Sequence, residues 1–208
     1  AESVPGTEAV LFTLSGEPFY MTLEGNRLFW LEDNKYLSAS ERGFYTHNLT
    51  EGTKKQLIKI GEPGQMCSDS TIPIAHQIET PSISGDRVVF SEKGIILMNI
   101  STGSLVQLTN RDDAFLPVSD IRFNQNPSID GDRVVWTEHE GLVHSSVDGG
   151  KIVILNLTTG ERQHLPTGSP GNQSTPVISG DFILWKDYRS SGPDDQELYL
   201  YDLKNGKE

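Results

Sequence analysis

Short apolar runs recur along the chain, and glycine-containing turns separate them. Three runs follow closely related turns, in PSISGDRVVF (81–90), PSIDGDRVVW (127–136) and PVISGDFILW (176–185), and an earlier copy reads MTLEGNRLFW (21–30). A Gly-Asp or Gly-Asn tip between two apolar runs predicts a β-hairpin. The runs are nearly continuous rather than alternating, which indicates strands that are buried on both faces.

Each hairpin belongs to a longer repeat. A third apolar run follows, at 95–98, 152–155 and 198–201, then a second turn closed by glycine in HNLTEG, MNISTG, LNLTTG or YDLKNG, then a more polar fourth strand. The leading glycines Gly25, Gly85, Gly131 and Gly180 lie 60, 46 and 49 residues apart. A unit of this size is one small sheet, which must stack on its neighbours to bury its faces. The pattern predicts an all-β, four-bladed β-propeller of four-stranded antiparallel blades.

The predicted single domain has blades at about 20–58, 77–109, 123–166 and 172–208, with residues 6–13 added to the last. The fourth unit reaches Gly206 where its fourth strand should begin, and Gly6 precedes Leu11 by the same spacing that fourth strands show elsewhere. Pairing the two segments would remove an open sheet edge. Two alternatives stay open: four blades close on themselves, or the chain is part of a larger ring.

Charge and composition narrow the function. The net charge is −12 with no basic run, so the electrostatic footprint that nucleic acid requires is missing and nucleic acid is not an expected partner. No stretch approaches the roughly 18 apolar residues of a membrane span. The start AESVPG fits either a mature end after signal-peptide removal or an arbitrary boundary. Cys67 is the one cysteine, which excludes an internal disulfide.

Nearly all long segments fall on one face of the predicted ring, opposite the minimal turns, and functional residues concentrate on such loops. Carboxylates recur there at the ends of the second strands, at Glu32, Glu92, Glu138 and Asp187. They suit either a cation site or local hydrogen bonds to loop amides or an arginine; we expect the second, because these strands lie away from the axis. No cofactor is expected; calcium at Asp112, Asp113, Asp194 or Asp195 is a weak alternative without DxDxDG spacing.

Two further groups of polar residues have alternative explanations. His139 and His144 share one loop with acidic neighbours, where zinc or manganese binding competes with a simple solvated loop. Asn-x-Ser/Thr sites, which predict glycosylation if the protein is exported, occur at Asn48, Asn99, Asn156 and Asn172. Three of these precede a closing glycine where the fourth unit has Asp202, and both residue types can hydrogen-bond the following turn.

The repeat resembles a known family. The pattern P-x-I-S-G-D-x-V/I-V/L-W, followed in the fourth unit by Asp187, Arg189 and a third strand ending YDLKNG, is similar to the TolB-like propeller repeat. Such repeats occur in periplasmic Tol-system proteins and in archaeal and bacterial cell-surface proteins. The resemblance implies the propeller fold and a secreted, cell-surface or periplasmic location, but it implies no particular activity.

We therefore expect a non-catalytic binding or assembly module for a protein or polysaccharide of the cell envelope. The expected binding residues on the long-loop face are Tyr36, Arg42, Phe44, Phe115, His139, His144, Tyr188 and Arg189. Replacing Tyr188 and Arg189 together by Ala is expected to weaken binding and to leave the melting temperature within a few degrees. The alternatives are a carbohydrate-active hydrolase or lyase, using acidic residues with His139 or His144, and a structural subunit of a surface lattice.

Overall fold

The structure, a computed structural model, describes residues 13–14, 17–33, 43–59, 81–91, 94–109, 124–139, 150–168, 172–189 and 197–208. Every regular element in these ranges is a β-strand, as predicted, and the strands form four antiparallel sheets that we name blades 1 to 4 in chain order. Over the same ranges, no helix has the length and apolar character to cross a membrane.

In each blade, strands that are consecutive in the chain are hydrogen-bonded neighbours. Blade 1 contains β1 (Glu17–Glu24), β2 (Arg27–Asp33), β3 (Gly43–Asn48) and β4 (Thr53–Lys59). Blade 2 contains β5 (Ser82–Ser84), β6 (Arg87–Ser91), β7 (Ile95–Asn99) and β8 (Leu105–Gln107). Blade 3 contains β9 (Asn124–Asp130), β10 (Arg133–His139), β11 (Gly150–Asn156) and β12 (Arg162–His164). Blade 4 contains β13 (Gln173–Ser179), β14 (Phe182–Asp187) and β15 (Glu197–Asp202).

Blade 4 has three strands in the described part of the chain, and after β15 a single bridge joins Asp202 to Lys207. The strand predicted at 6–13 to complete this blade lies, apart from residue 13, outside the described residues.

The first hairpin of every blade turns at the predicted glycine. Gly85 has a φ of +59° and occupies the first central position of a two-residue loop, while Asp86 at the second position keeps a negative φ, as in a type II′ turn. Gly25, Gly131 and Gly180 have φ between +54° and +56° at the same place. The twist of this turn matches the twist of the strands, so one glycine sets the register of the first two strands.

The hydrophobic core lies between blades rather than within them. We call the face that a blade turns toward the next blade in the chain its leading face, and the opposite face its trailing face. Phe29, Leu31 and Phe44 on the leading face of blade 1 pack with Val88 and Phe90 on the trailing face of blade 2. Equivalent clusters join blades 2 and 3, around Val89 and Trp136, and blades 3 and 4, around Val135 and Trp185. The second and third strands of blades 2 and 3 are therefore apolar on both faces, which explains the continuous apolar runs.

Polar contacts cross each of these three junctions at the turn end. The Arg two positions after the turn glycine pairs with the Asp of the next blade's turn, in Arg27–Asp86 (2.8 Å), Arg87–Asp132 (2.7 Å) and Arg133–Asp181 (3.1 Å). The residue before the turn glycine accepts a hydrogen bond from the next blade's turn glycine, in Gly85 to Glu24, Gly131 to Ser84 and Gly180 to Asp130. These repeated contacts fix how consecutive blades are stacked.

The first and third turns of the blades are short and lie at one edge of the sheets, as predicted. The opposite edge carries the predicted long connections. Their interiors, at 34–42, 60–80, 110–123, 140–149 and 190–196, lie outside the described residues.

Candidate functional site

The inner strands of all four blades line one cavity. Its volume is about 410 Å³, and its walls come from residues 22–24, 81–83, 126–128 and 175–177, one short stretch from the first strand of each blade. We call it the axial cavity. Its size falls within the range of about 300–1,000 Å³ that is usual for small-molecule sites. Because every blade contributes, the stacking of the blades determines the cavity's shape.

A strained backbone conformation recurs in three of these walls. Tyr20, Asn126 and Thr175 have φ of +52°, +53° and +49°, each at the point where the pairing of the first and second strands shifts register. A β-bulge of this kind re-aims side chains, and a positive φ in a non-glycine residue costs about 1–3 kcal/mol. Thr175 is β-branched, for which such a φ is a clear outlier. Strain that recurs beside a cavity points to a use for that geometry.

Several polar groups of the axial cavity already have partners. The hydroxyls of Ser82 and Ser128 accept hydrogen bonds from the backbone N–H groups of Ile129 (3.1 Å) and Ile178 (3.2 Å) in the next blade. The carboxylate of Glu24 accepts one from the N–H of Gly85 at 2.7 Å. These side chains help to hold the blades together and have less capacity left for a ligand.

The hydroxyl of Thr175 differs. Its Oγ1 atom is buried and has no hydrogen-bond partner in the structure, although the residue lines the axial cavity. An unsatisfied buried hydroxyl costs about 1–3 kcal/mol. A ligand that supplied a donor or an acceptor here would recover that free energy.

The repeated carboxylates are structural, as expected for the three that the structure describes. Glu32 accepts a hydrogen bond from Trp30 Nε1 (2.8 Å) and pairs with Lys54 (2.6 Å). Asp187 does the same with Trp185 Nε1 (3.0 Å) and Arg189 (2.7 Å). In blade 3, Glu138 accepts from Arg162 and lies 2.9 Å from His164 Nε2. Glu92 lies outside the described residues.

An aromatic ring completes each of these clusters. Lys54 lies 4.3 Å from the centroid of the Tyr45 ring, Arg162 lies 5.6 Å from that of Trp136 and Arg189 lies 3.8 Å from that of Tyr199. A cation held between a carboxylate and a ring face is attracted electrostatically to both groups. Each of these carboxylates therefore already has a cation within ion-pair distance in the structure.

Burial and hydrogen bonding act in opposite directions on Asp187. Burial alone would raise the pKa of this carboxyl, but hydrogen bonds from Arg189 and Trp185 and the positive charge of Arg189 outweigh it, so the pKa lies below its usual value of 3.8. The hydrogen bond to Asp187 in turn raises the pKa of Arg189, despite partial desolvation, and Glu208 adds to this effect. The pair therefore stays charged over the whole ordinary pH range.

The structure places half of the predicted binding residues. Tyr36, Arg42, Phe115 and His144 lie outside the described residues. His139 ends β10, while Tyr188 and Arg189 directly follow β14, so all three lie at the predicted long-loop edge of their blades. Binding by these residues stays a prediction.

Two details of the prediction need correction. Phe44 is fully buried between blades 1 and 2, with ring centroids 5.2 Å from Phe29 and 4.9 Å from Phe90, because its strand faces a junction; it is a core residue and cannot contact a ligand. Arg189 is only 19% exposed and neutralises a fully buried carboxylate. Its replacement by Ala would therefore lower the melting temperature as well.

Metal sites were predicted only weakly. In the parts of the chain that the structure describes, no three His, Cys, Asp or Glu side chains are grouped so that they could hold a metal ion. The proposed calcium residues at 112–113 and 194–195 lie in segments that are not described.

The repeated Asn residues do hydrogen-bond the following turn, as predicted. Asn156 Oδ1 accepts from the backbone N–H groups of Thr158 (2.9 Å) and Thr159 (3.0 Å). The side chains of Asn48 and Asn99, and of Asp202 in blade 4, accept in the same way. Asn172 has a positive φ of 71° instead. Glycosylation of the four sites stays a prediction.

Sequence reasoning missed the axial cavity. The available signal was a residue followed by Pro, five residues before the turn glycine, in Thr80-Pro81, Asn126-Pro127 and Thr175-Pro176. The residue before a proline is normally extended, so the positive φ at Asn126 and Thr175 could not be predicted from this signal.

No protein-family profile matches the chain, and no curated protein matches it in sequence. Solved structures do match it. TolB from Acinetobacter baumannii is 16% identical with a TM-score of 0.54, over 93% of this chain and 42% of that chain. An oligogalacturonate lyase in complex with manganese is 13% identical with a TM-score of 0.60, over 97% of this chain and 55% of that chain.

The computationally designed Ika4 protein is 11% identical with a TM-score of 0.51, over 95% of this chain and 99% of that chain. At these identities the likeness shows the fold alone, which is that of TolB-like β-propellers. The chain spans about half the length of the TolB and lyase chains that it matches.

Proposed function

We propose that this β-propeller is a binding module without catalytic activity, and that its axial cavity holds a short, uncharged stretch of polysaccharide. The observation that carries the proposal is Thr175, which lines the cavity at a strained bulge and whose hydroxyl is buried without a partner. We place the protein outside the cytoplasm, at the cell surface or in the periplasm, on the strength of the TolB-like fold.

The chemistry of the cavity wall suits a sugar. Pro81, Pro127 and Pro176 are buried residues that contribute apolar atoms to the wall, and Thr22 and Thr175 line it beside them. Sugars combine apolar C–H faces with hydroxyls, and ligand sites pair apolar walls with a few polar groups in this way. A net charge of −12 disfavours an anionic polymer, so the uncharged class is the better match.

The structural role of the carboxylates supports the non-catalytic part of the proposal. Glycoside cleavage needs a pair of carboxyl groups that are free to donate and accept protons. Glu32, Glu138 and Asp187 are each tied to a cation, and two of them also accept a hydrogen bond from a tryptophan.

Thr175→Val tests the proposal, because it removes the hydroxyl and keeps the shape of the side chain. Thr137→Val is the matched control, since Thr137 Oγ1 is also buried without a partner but the residue does not line the axial cavity. Neither change should destabilise the fold, because each removes an unsatisfied polar group. We expect the first variant to bind a neutral oligosaccharide about 5- to 10-fold more weakly and the control to bind it unchanged.

Melting temperatures with a panel of neutral oligosaccharides would select the ligand, and calorimetry would then give the affinities. A ligand at about 100 times its dissociation constant adds roughly 2.7 kcal/mol of stability. Equal binding by both variants would remove Thr175 from the site. If the purified protein shortened the oligosaccharide, the protein would be an enzyme rather than a binding module.

A further inference from the structure

The leading face of blade 4 is open where the other three leading faces are covered. Four residues after the turn glycine, Phe29, Val89 and Val135 are 0% exposed, whereas Leu184 is 38% exposed. In the third strand, Phe44, Ile95 and Ile152 are 0% exposed at the position where Leu198 is 68% exposed. An apolar surface that is core in three blades and bare in the fourth points to a missing neighbour.

On its trailing face, blade 1 is open only near the axis, because Trp30 further out on the same face is 3% exposed. Two residues before the turn glycine, Ile129 and Ile178 are 3% and 4% exposed, because the preceding blade covers them, whereas Leu23 is 57% exposed. The exposed large apolar residues at the two open faces are Met21, Leu23, Val177, Phe182, Leu184, Leu198 and Leu200.

The open face of blade 4 is not prepared for another blade of the same kind. Phe182 stands where Arg27, Arg87 and Arg133 pair with the next blade's aspartate. Val177 stands where the hydroxyls of Ser82 and Ser128 accept hydrogen bonds from the next blade. The surface that partners blade 4 must therefore do without both the aspartate and that N–H contact.

Blade 1 is such a surface. At the turn position where blades 2, 3 and 4 have an aspartate for the preceding arginine, blade 1 has Asn26. An aspartate opposite Phe182, or an arginine opposite Asn26, would leave a charge without its partner at the junction. The two departures from the repeat thus fall on the two ends that would meet.

The described part of the chain contains three junction cores, between blades 1 and 2, 2 and 3, and 3 and 4. Within the described residues no fourth core joins blade 4 to blade 1, so both end faces are available to a partner.

We propose that two copies of this chain join head to tail, with the leading face of blade 4 of each copy packed on the trailing face of blade 1 of the other. A head-to-tail contact either closes or grows into a filament. Two four-bladed arcs close into one ring of eight blades with two identical junctions. This inference does not depend on the axial cavity binding a ligand.

Sedimentation equilibrium of the 208-residue chain, with and without single substitutions, tests the proposal. The wild-type protein should have twice the chain mass of 23.0 kDa. Leu198→Asp and Leu23→Asp should each raise the dissociation constant by at least about 30-fold, the effect of losing an interface hot spot. Val106→Asp is the matched control, because Val106 is exposed in β8, away from both open faces, and should leave the dimer intact.

Mixing the two monomeric variants gives the sharpest test. A Leu198→Asp copy retains a native blade 1 and a Leu23→Asp copy retains a native blade 4, so the mixture has one native junction and should recover mass-doubled species. A monomeric wild type whose melting temperature falls with Leu198→Asp would show closure on its own blade 1. A dimer whose dissociation constant is unchanged by Leu23→Asp would show that blade 4 pairs with blade 4. Masses above two copies would show an open polymer. Each of these three results would overturn the proposal.

Discussion

Asp187 is a fully buried carboxylate, and its surroundings explain how the fold tolerates it. Its two oxygens accept from Trp185 Nε1, from the Arg189 backbone N–H (2.9 Å) and from the Arg189 guanidinium. Glu208 pairs with the same guanidinium, which also lies over Tyr199. A buried charge is stable only with such a complete set of partners, so the loss of one partner should be costly.

Arg189→Met tests this directly, because Met keeps the aliphatic packing over Tyr199 and removes the charge. We expect a loss of about 3 kcal/mol in the free energy of unfolding, since Asp187 would stay buried without its cation. Arg162→Met is the matched control: Glu138 is better exposed than Asp187 and keeps His164, so the loss should be about 1 kcal/mol or less. Urea unfolding at pH 7 measures both. Equal losses would mean that burial does not set the strength of these pairs.

The sequence allowed part of this site to be predicted. Local hydrogen bonding of the repeated carboxylates was expected because they end strands that lie away from the axis. Their tryptophan partners lie only two residues earlier, as in Trp30 and Glu32, and the spacing was visible in the repeat. The cations were only partly predictable. Arg189 follows Asp187 by two residues, and an arginine partner was expected there. Lys54 and Arg162 occupy the same place, two residues after the closing glycine, but they meet their carboxylates only through strand pairing.

At the scale of the hairpin, one side chain organises the second turn of each blade. Asn156 accepts two backbone hydrogen bonds across the turn that Gly160 closes, and Asp202 does so in blade 4. A carboxylate and an amide oxygen are equivalent for this purpose. The residue is thus selected for its oxygen, whether or not a glycan is attached.

Asn156→Ala should destabilise the protein by about 1 kcal/mol, because two turn N–H groups lose their acceptor. Asn156→Asp should cost almost nothing, and it also removes the glycosylation site. Denaturant midpoints of protein made in bacteria compare the two variants without a glycan. A midpoint for the Asp variant as low as that for Ala would mean that the amide Nδ2, rather than the acceptor oxygen, is important.

The strands and turns were predictable because both depend on local chemistry. A Gly-Asp tip needs only the positive φ that glycine provides, and a strand buried on two faces needs only a continuous apolar run. The bulges at Tyr20, Asn126 and Thr175 were not predictable, because a positive φ is unusual for Tyr and Thr and a residue before proline is normally extended. The axial cavity was missed because its walls come from four blades that are far apart in the chain and meet only through stacking.

At the scale of the whole molecule, several carboxylates couple stability to pH in one direction. Burial alone would raise the pKa of Asp86, but hydrogen bonds from Ser101 and Arg27 lower it below 3.8. Arg189 and Trp185 lower the pKa of Asp187 in the same way. The pKa values of Asp132 and Asp202 are also lowered, chiefly by hydrogen bonds from Arg87 and Asn205. The unfolded chain therefore binds protons at a higher pH than the folded chain does.

We expect these carboxylates to leave the free energy of unfolding nearly constant from pH 7 to about pH 5. The free energy of unfolding should then fall as the pH drops below 3.8 toward the lower pKa values of the folded state. Urea midpoints measured from pH 2 to pH 7 follow this loss. Asp187→Asn should make the fall in the urea midpoint between pH 4 and pH 2 less steep, because the variant lacks one carboxylate whose protonation destabilises the fold. An equally steep fall in the variant would mean that Asp187 does not contribute to the pH dependence of stability.

Because each hydrophobic core lies at a junction between two blades, no single blade contains a complete core. A genetic duplication of one repeat would insert a sheet and bring a new junction with it, so sheet and core would be gained together. Loss of a repeat at either end would remove both and leave the remaining junctions as they were. Such a chain can change its number of repeats by one at a time, and the residues on its two end faces then decide which rings can close.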